Sequence, residues 1–439
     1  MSNNPEIEIM WEYRTGHVIE VLRAMPSESV HCVPTSPPYW GLRKYDGDQD
    51  VLWPDGTRGS YGLEKTPDEY VQRTIQILRE IKRVLRKDGV VFWNIGDCYA
   101  GSGKGVGSDH GKAVYTDNNV VKTDWTECGL KAKDLALIPF RVALAAQADG
   151  WWVRSDIIWA KPNPMPENVR DRPTKAHEYI FMFTKSPTYF WDQEALREKL
   201  SAPLHRPGNR AEAGGGHLRR DFGTEAMGRE WGNPAGRNIR SVWTINTQSG
   251  GGKGVHYAAF PEELVRRCIL AATSERGYCP KCGEPWVRVL QRTKAQRTDR
   301  TDNPNASGLM RCPSSKNLDV VKTVGWQPSC TCYEIDGYGY WDAVEVGRWV
   351  GPDGDSEDSV GHWENDIDFL WKPIRPLNEH PVNPAIVLDP FVGTGTTLKV
   401  ARLLGRDAIG IDISKKYEEI GVAKAMLNTP DILSFEGKP

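Results

Sequence analysis

Residues 35–40 read Thr35-Ser36-Pro37-Pro38-Tyr39-Trp40 and follow directly on the apolar run from Val30 to Val33. Two consecutive prolines remove two backbone donors and fix φ, so neighbouring carbonyls are left to face a cleft. An exocyclic amine is a poor nucleophile because its lone pair is delocalised into the ring. The Pro37 carbonyl and the Ser36 hydroxyl, accepting its two hydrogens, draw the nitrogen toward sp³ geometry and aim the lone pair at a methyl donor. Tyr39 beside them offers a face on which an extruded base can stack, with Pro38 holding the turn rigid. Pro-Pro-Tyr alone is equally the sequence of a rigid surface turn, so this chemistry needs a donor site next to it.

That donor site is legible near the other end of the chain. Residues 386–397, IVLDPFVGTGTT, run from an apolar strand through a glycine turn into the helix TLKVARLL. Gly393 and Gly395 let the backbone pass close to a ligand, and the helix start offers free N–H groups. The next strand, AIGID, ends in Asp412, whose carboxylate suits the two ribose hydroxyls of a nucleoside cofactor. The spacing is neither the GxGxxG of dinucleotide folds nor the GK[ST] of a phosphate loop, so NAD and ATP fit poorly. In a parallel sheet both segments stand at strand C-terminal ends, where ligands bind.

Four of the nine cysteines form two close pairs, Cys279-Pro-Lys-Cys282-Gly and Cys330-Thr-Cys332. Four thiolates in two tight pairs suit a closed tetrahedral zinc site, structural because no coordination position stays open. Cys312 is a possible substitute ligand. Close pairs in a reducing compartment indicate metal binding in preference to disulfides.

The elements that must position these groups alternate between strand and helix. Ile7 to Trp11 is a short apolar strand, Val18, Ile19, Val21, Leu22 and Met25 recur at helical spacing, and Val30 to Val33 is a second strand. Pro67 opens an amphipathic helix over 67–86, striped by Tyr70, Ile75, Leu78, Ile81 and Leu85. Asp88-Gly89 closes it, and VVFWNI at 90–95 is a buried strand of the parallel type. A helix is expected over about 134–148, then the strands WVRSDIIWAK and HEYIFMFTKS, the helix PEELVRRCILAAT at 261–273, and a last α/β stretch from 386 onward. The alternation implies an α/β fold on a parallel sheet.

TSPPYWGLR together with DPFVGTGTT resembles the amino-group DNA methyltransferases, in the permuted motif order of the beta class. GHVIEVLRAMP, VVFWNIGDCYAG, WAKPNPMPE, RPTKAHEYIFMFTKS and HYAAFPEELVRRCILAAT match that family's pattern too, so the resemblance covers about 6–275 and 383–427. It implies a Rossmann-like S-adenosylmethionine-dependent methyltransferase fold, circularly permuted in motif order. It implies that Phe391, Gly393, Gly395 and Asp412 contact the cofactor, with help from Asp389, Thr396 and the Phe260-Pro261-Glu262 turn. Ser36, Pro37 and Tyr39 would hold the base for direct in-line transfer, and no Pro-Cys pair offers a nucleophile. Ser at position 36 is typical of N4-cytosine enzymes, which favours cytosine over the N6-adenine alternative. Protein and RNA amine methyltransferases, the more remote alternative, carry their motifs in the opposite order.

The resulting organisation is a catalytic part at 1–191, a target-recognition region at 192–245 and a core helix segment at 246–277. A zinc-binding insertion at 278–380 and a cofactor-binding part at 381–439 complete it. Residues 196–240 hold nine Arg/Lys against five Asp/Glu, a balance suited to phosphates and guanine edges. The loop at 100–127 is a candidate to close over the flipped base or the DNA. The formal charge of −2 over 439 residues gives no global sign of nucleic-acid binding, so contacts must come from such local patches. No apolar run approaches the ~20 residues of a membrane helix, and the N-terminus lacks a signal pattern. The expected setting is cytoplasmic, in a bacterium or encoded by its phage. Double-stranded DNA is the expected partner of a monomer or homodimer, with a cognate restriction endonuclease as companion.

Overall fold

A computed structural model describes residues 10–41, 51–100, 128–198, 236–248, 260–293, 320–350 and 362–426. Its elements begin with β1 (Trp11–Thr15), α1 (Val18–Ala24), β2 (Val30–Thr35), the two-residue strands β3 (Val51–Leu52) and β4 (Arg58–Gly59), and α2 (Pro67–Val84). Then come β5 (Leu85–Ile95), α3 (Ile138–Ala148), β6 (Trp152–Ala160), β7 (His177–Thr184), β8 (Val242–Thr244) and α4 (Glu262–Ala272). They are followed by β9 (Trp286–Thr293), β10 (Val320–Pro328), α5 (Cys332–Ile335), β11 (Gly339–Val350) and β12 (His362–Pro373). The chain closes with β13 (Ile386–Asp389), α6 (Thr396–Leu403), β14 (Asp407–Asp412) and α7 (Lys415–Met426). Among the described residues no helix is long and apolar enough to cross a membrane.

Two units result, one of Met1–Asp192, Arg240–Pro285 and Pro381–Pro439, the other of Gln193–Ile239 and Trp286–His380. The first is built on an eight-stranded sheet of order β1-β14-β13-β2-β5-β7-β6-β8. From β1 to β5 every pairing is parallel. The strand β7 then runs antiparallel to both β5 and β6, while β6 and β8 are parallel. The fold is therefore mixed α/β, and the expectation of a wholly parallel sheet is corrected. A parallel return needs a crossover, usually a helix. α3 supplies one between β5 and β6, but residues 161–176 contain none, so the chain comes back from β6 antiparallel.

Alternation along β2 assigns the helices to faces. Val33 lies in the hydrophobic core with Ile19, Leu22, Tyr70, Leu78, Ile81 and Val142 of α1, α2 and α3. Its neighbour Cys32 points the other way, its thiol donating to the Cys268 carbonyl of α4 at 3.7 Å. α2 carries its own start signal: Thr66 Oγ1 accepts from Glu69 N at 3.2 Å, and Glu69 Oε2 accepts from Lys65 N at 3.0 Å. Tyr70, Ile77, Leu78 and Ile81 are fully buried on its inner stripe, each burial worth about 1.5–3 kcal/mol.

Three boundaries differ from expectation. The first strand is Trp11–Thr15 rather than Ile7–Trp11, because residues 11–15 pair in register with Ala408–Asp412; residues 7–9 lie outside the described residues. α2 ends at Val84, and the chain is already extended at Leu85. Gly89 is needed inside β5, since a Cβ there would stand 2.6 Å from the Leu85 side chain and 3.0 Å from the His31 carbonyl. α3 starts only at Ile138, after Leu137 at φ +56°, and Asp97 Oδ1 accepts from the Ile138 N–H at 3.1 Å.

Among the described residues the second unit holds two antiparallel pairs, β9 with β10 and β11 with β12, and the short helix α5. Its core is aromatic: Trp286 Nε1 donates to Tyr333 Oη at 2.9 Å, and Trp371 meets the Trp286 ring edge-on at 5.4 Å.

Candidate active site

Because β1, β14, β13, β2 and β5 are parallel, Asp412, Asp389, Thr35 and Ile95 end on one edge of the sheet. Asp389 is buried and takes three donors: Thr35 Oγ1 at 2.7 Å, the Phe391 N–H at 3.1 Å and Thr397 Oγ1 at 2.6 Å. It thereby clamps both ends of the glycine turn and ties it to the end of β2. Burial pushes its carboxyl up to about 6 despite those donors.

Asp412 accepts from Gly393 N at 3.1 Å on one oxygen and from Ser414 N at 2.8 Å on the other. Burial pushes it up to about 6 as well. Each oxygen retains acceptor capacity for a hydroxyl. Gly393 has φ +49°, and a Cβ there would meet no heavy atom within 4 Å, so the turn opens onto free space. Gly395, at φ +78°, is packed: a Cβ would stand 2.7 Å from the Gly421 carbonyl oxygen. Tyr13 Oη donates to the Gly393 carbonyl at 2.9 Å. A nucleoside cofactor fits these residues, which combine an open backbone turn with a carboxylate at the end of the next strand.

The remaining residues expected at the cofactor lie on the helices that follow. Thr396 Oγ1 accepts from Lys424 Nζ at 2.6 Å, and Glu262 Oε1 accepts from Lys399 Nζ at 2.9 Å. These bonds join α6 to α7 and to the start of α4. Burial lowers the Lys424 ammonium below its ordinary range, with Glu262 opposing. Phe260 is half-buried, while Pro261 is buried and caps α4, its carbonyl accepting from Leu264 N at 3.1 Å.

The turn after β2 is braced from behind. Tyr70 Oη donates to the Pro38 carbonyl at 3.0 Å, and Trp40 Nε1 to the Glu64 carbonyl at 2.9 Å. The Glu64 carboxylate holds the Gly62 N–H at 2.9 Å and pairs with Arg73 at 3.3 Å; burial pushes it up to about 7. Of the two proline carbonyls, that of Pro38 is thus occupied, whereas that of buried Pro37 takes no hydrogen bond from the described residues. Tyr61 stacks between Tyr70 at 5.0 Å and Phe391 at 5.5 Å, linking the back of the turn to the glycine loop.

At its front, Ser36 and Tyr39 belong to a polar cluster. Asn94 Nδ2 lies 3.1 Å from Ser36 Oγ, 2.8 Å from Tyr39 Oη and 3.1 Å from Glu178 Oε2. Tyr39 Oη donates to Glu178 Oε2 at 2.6 Å, and Lys161 is bonded to Glu178 Oε1. Gly96 makes room for the Tyr39 ring, since a Cβ there would stand 2.7 Å from it. Asn94, Glu178 and Lys161 are not among the residues expected from sequence. Glu178 reaches this edge only because β7 is antiparallel: in a parallel strand the start of HEYIFMFT would lie at the far edge.

The sulfur atoms of Cys279, Cys282, Cys330 and Cys332 lie within 4.8 Å of one another, and none is in a disulfide. Gly283 at φ +74° turns the knuckle, with its N–H on the Cys279 carbonyl at 2.8 Å. Tetrahedral zinc at ~2.3 Å from each sulfur requires S···S separations of about 3.8 Å, so the donor set fits. Cys312 falls outside the described residues, as do most of the basic stretch 196–240 and nearly all of the loop 100–127.

The family profile described as DNA methylase, of the N6/N4 type, matches residues 30–279 and 380–423. The type II methyltransferase M.Cfr9I of Citrobacter freundii is 41% identical over 287 residues, 65% of this chain and 79% of that one. M.SfiI of Streptomyces fimbriatus is 31% identical over 431 residues, 92% of this chain and 88% of that one. A solved structure, the PvuII DNA methyltransferase (cytosine-N4-specific), aligns at 14% identity and TM-score 0.46, covering 95% of this chain and 86% of that one.

Proposed function

The chain belongs to the N6/N4 DNA methylase family, and on that premise we propose that it methylates the exocyclic N4 amino group of cytosine in double-stranded DNA. The target base is flipped out of the helix, and the protein serves as the modification enzyme of a type II restriction–modification pair. S-adenosylmethionine, when bound, would supply an electrophilic methyl group with a neutral thioether as its leaving group. Phe391, Gly393 and Gly395 hold it, Asp412 takes its ribose hydroxyls, and Asp389 keeps the loop in shape.

The base stacks on Tyr39. The Pro37 carbonyl and Ser36 Oγ accept the two amino hydrogens and turn the nitrogen lone pair toward the donor. Positioning and exclusion of water carry the rate. The observation behind this reading is the 2.7 Å bond from Thr35 to Asp389, which sets the end of β2 against the glycine loop. Zinc on the four cysteines is structural, and residues 192–245 read the DNA.

The test is to express the chain in a methylation-free host, digest the DNA to nucleosides and weigh them. N4-methylcytosine is expected. N6-methyladenine alone rejects the cytosine assignment, and unmodified DNA rejects the enzyme. Ser36→Ala should lower methyl transfer by about a hundredfold with little change in cofactor affinity, and equal losses in both would count against its role.

A further inference from the structure

Transfer to an amino group leaves the nitrogen with one bond too many and a positive charge, so a proton must leave. Ser36, the residue assigned to hold an amino hydrogen, sits 3.3 Å from Tyr39 Oη, which in turn donates to Glu178 Oε2 at 2.6 Å. Asn94 sets the direction of this chain. Its Nδ2 faces all three oxygens and can only donate, so neither hydroxyl can spend its hydrogen there. The reverse amide orientation would put Oδ1 against the Glu178 carboxylate. The Ser36 hydrogen is left to point at Tyr39, and the Tyr39 hydrogen at Glu178. Lys161 is paired with the other carboxylate oxygen, and the Lys175 ammonium lies nearby.

We propose that Glu178 is the proton acceptor of the reaction, reached from the substrate through Ser36 and Tyr39. The N–H bond of the methylated, positively charged amine breaks as its proton passes to Ser36 Oγ. The Ser36 proton passes to Tyr39 Oη and the Tyr39 proton to Glu178 Oε2. Both hydroxyls are restored, the amine is neutral, and the carboxylate has become a carboxylic acid that later loses its proton to solvent. Two other carboxylates at this edge serve the glycine loop: Asp389 takes three donors, and Asp412 takes the N–H groups of Gly393 and Ser414.

The inference rests on the methyltransferase reading, and its test separates the two. Wild type, Tyr39→Phe and Glu178→Gln are compared in single turnovers of labelled S-adenosylmethionine on unmodified plasmid DNA from pH 7 to 9.5. Cofactor affinity is measured by calorimetry alongside. No labelled DNA with wild type rejects the methyltransferase reading itself. With an active wild type, both variants should transfer at least tenfold more slowly at pH 7, within the ~10²–10⁴ range of general acid–base effects, with cofactor affinity within about twofold. The Glu178→Gln deficit should shrink as pH rises, because hydroxide and buffer bases take over the proton. A Tyr39→Phe enzyme as fast as wild type overturns the proposal. So does a Glu178→Gln deficit that is the same at every pH, which is the mark of a carboxylate that only holds the ring.

Discussion

Single residues at the sheet edge carry opposite demands on protonation. Asp389 and Asp412 are pushed up to about 6 by burial, against about 3.9 for an unfolded aspartate. The native chain therefore holds these protons more tightly than the unfolded one. Their contribution to stability is fully present below about pH 4 and is lost as pH rises through 6. On the proposed reading cofactor binding has the opposite sign, because an ionised Asp412 would be the better acceptor for ribose hydroxyls. S-adenosylmethionine affinity is expected to be flat above pH 7 and to weaken about tenfold per unit below 6. Asp412→Asn should weaken binding and flatten that dependence; a variant with the wild-type slope would remove Asp412 from the site. The bonding of Ser36 and Tyr39 belongs to this scale too, and little of it was legible. The motif names the turn, but nothing local to it says that Asn94 and Glu178 will meet it.

At the scale of elements, two glycines of one turn separate binding from stability. Gly395 is left-handed and packs on Gly421 of α7, so Gly395→Ala strains the backbone and collides with a helix. A loss of about 2 kcal/mol is expected, read as a lower melting temperature. Gly393 is left-handed but faces open space, so Gly393→Ala should cost about 1 kcal/mol while its methyl group obstructs the cofactor. Calorimetry should find cofactor binding lost in a chain that still melts cooperatively; retained binding would contradict the assignment of that space. Helix existence was readable from periodicity, as the buried stripe of α2 illustrates. Boundaries were not, since α3 waits for the side chain of Asp97 and β1 for the register imposed by β14, and both partners are remote in sequence.

For the whole molecule, the four-cysteine cluster makes a prediction independent of catalysis. Purified protein should carry one zinc per chain by elemental analysis, and Cys279→Ser with Cys330→Ser should abolish it. Stripping the metal with a strong chelator should lower the melting temperature, because four thiolates gathered within 4.8 Å repel one another without a cation between them. Metal-free protein of unchanged stability would reduce the cluster to a chance grouping.

Much of this was settled by sequence alone. Glycines at 393 and 395, a strand before them, an acid fifteen residues after Thr397 and a Ser-Pro-Pro-Tyr turn are local patterns. Residue type and spacing make them legible without any long-range contact, and so it is with the grouping of the cysteines. The tertiary structure decided the direction of β7. Direction depends on whether a crossover helix intervenes and which neighbour completes the ladder, and hydrophobic alternation does not encode it. That one reversal carries Glu178 to the edge where Ser36 and Tyr39 stand.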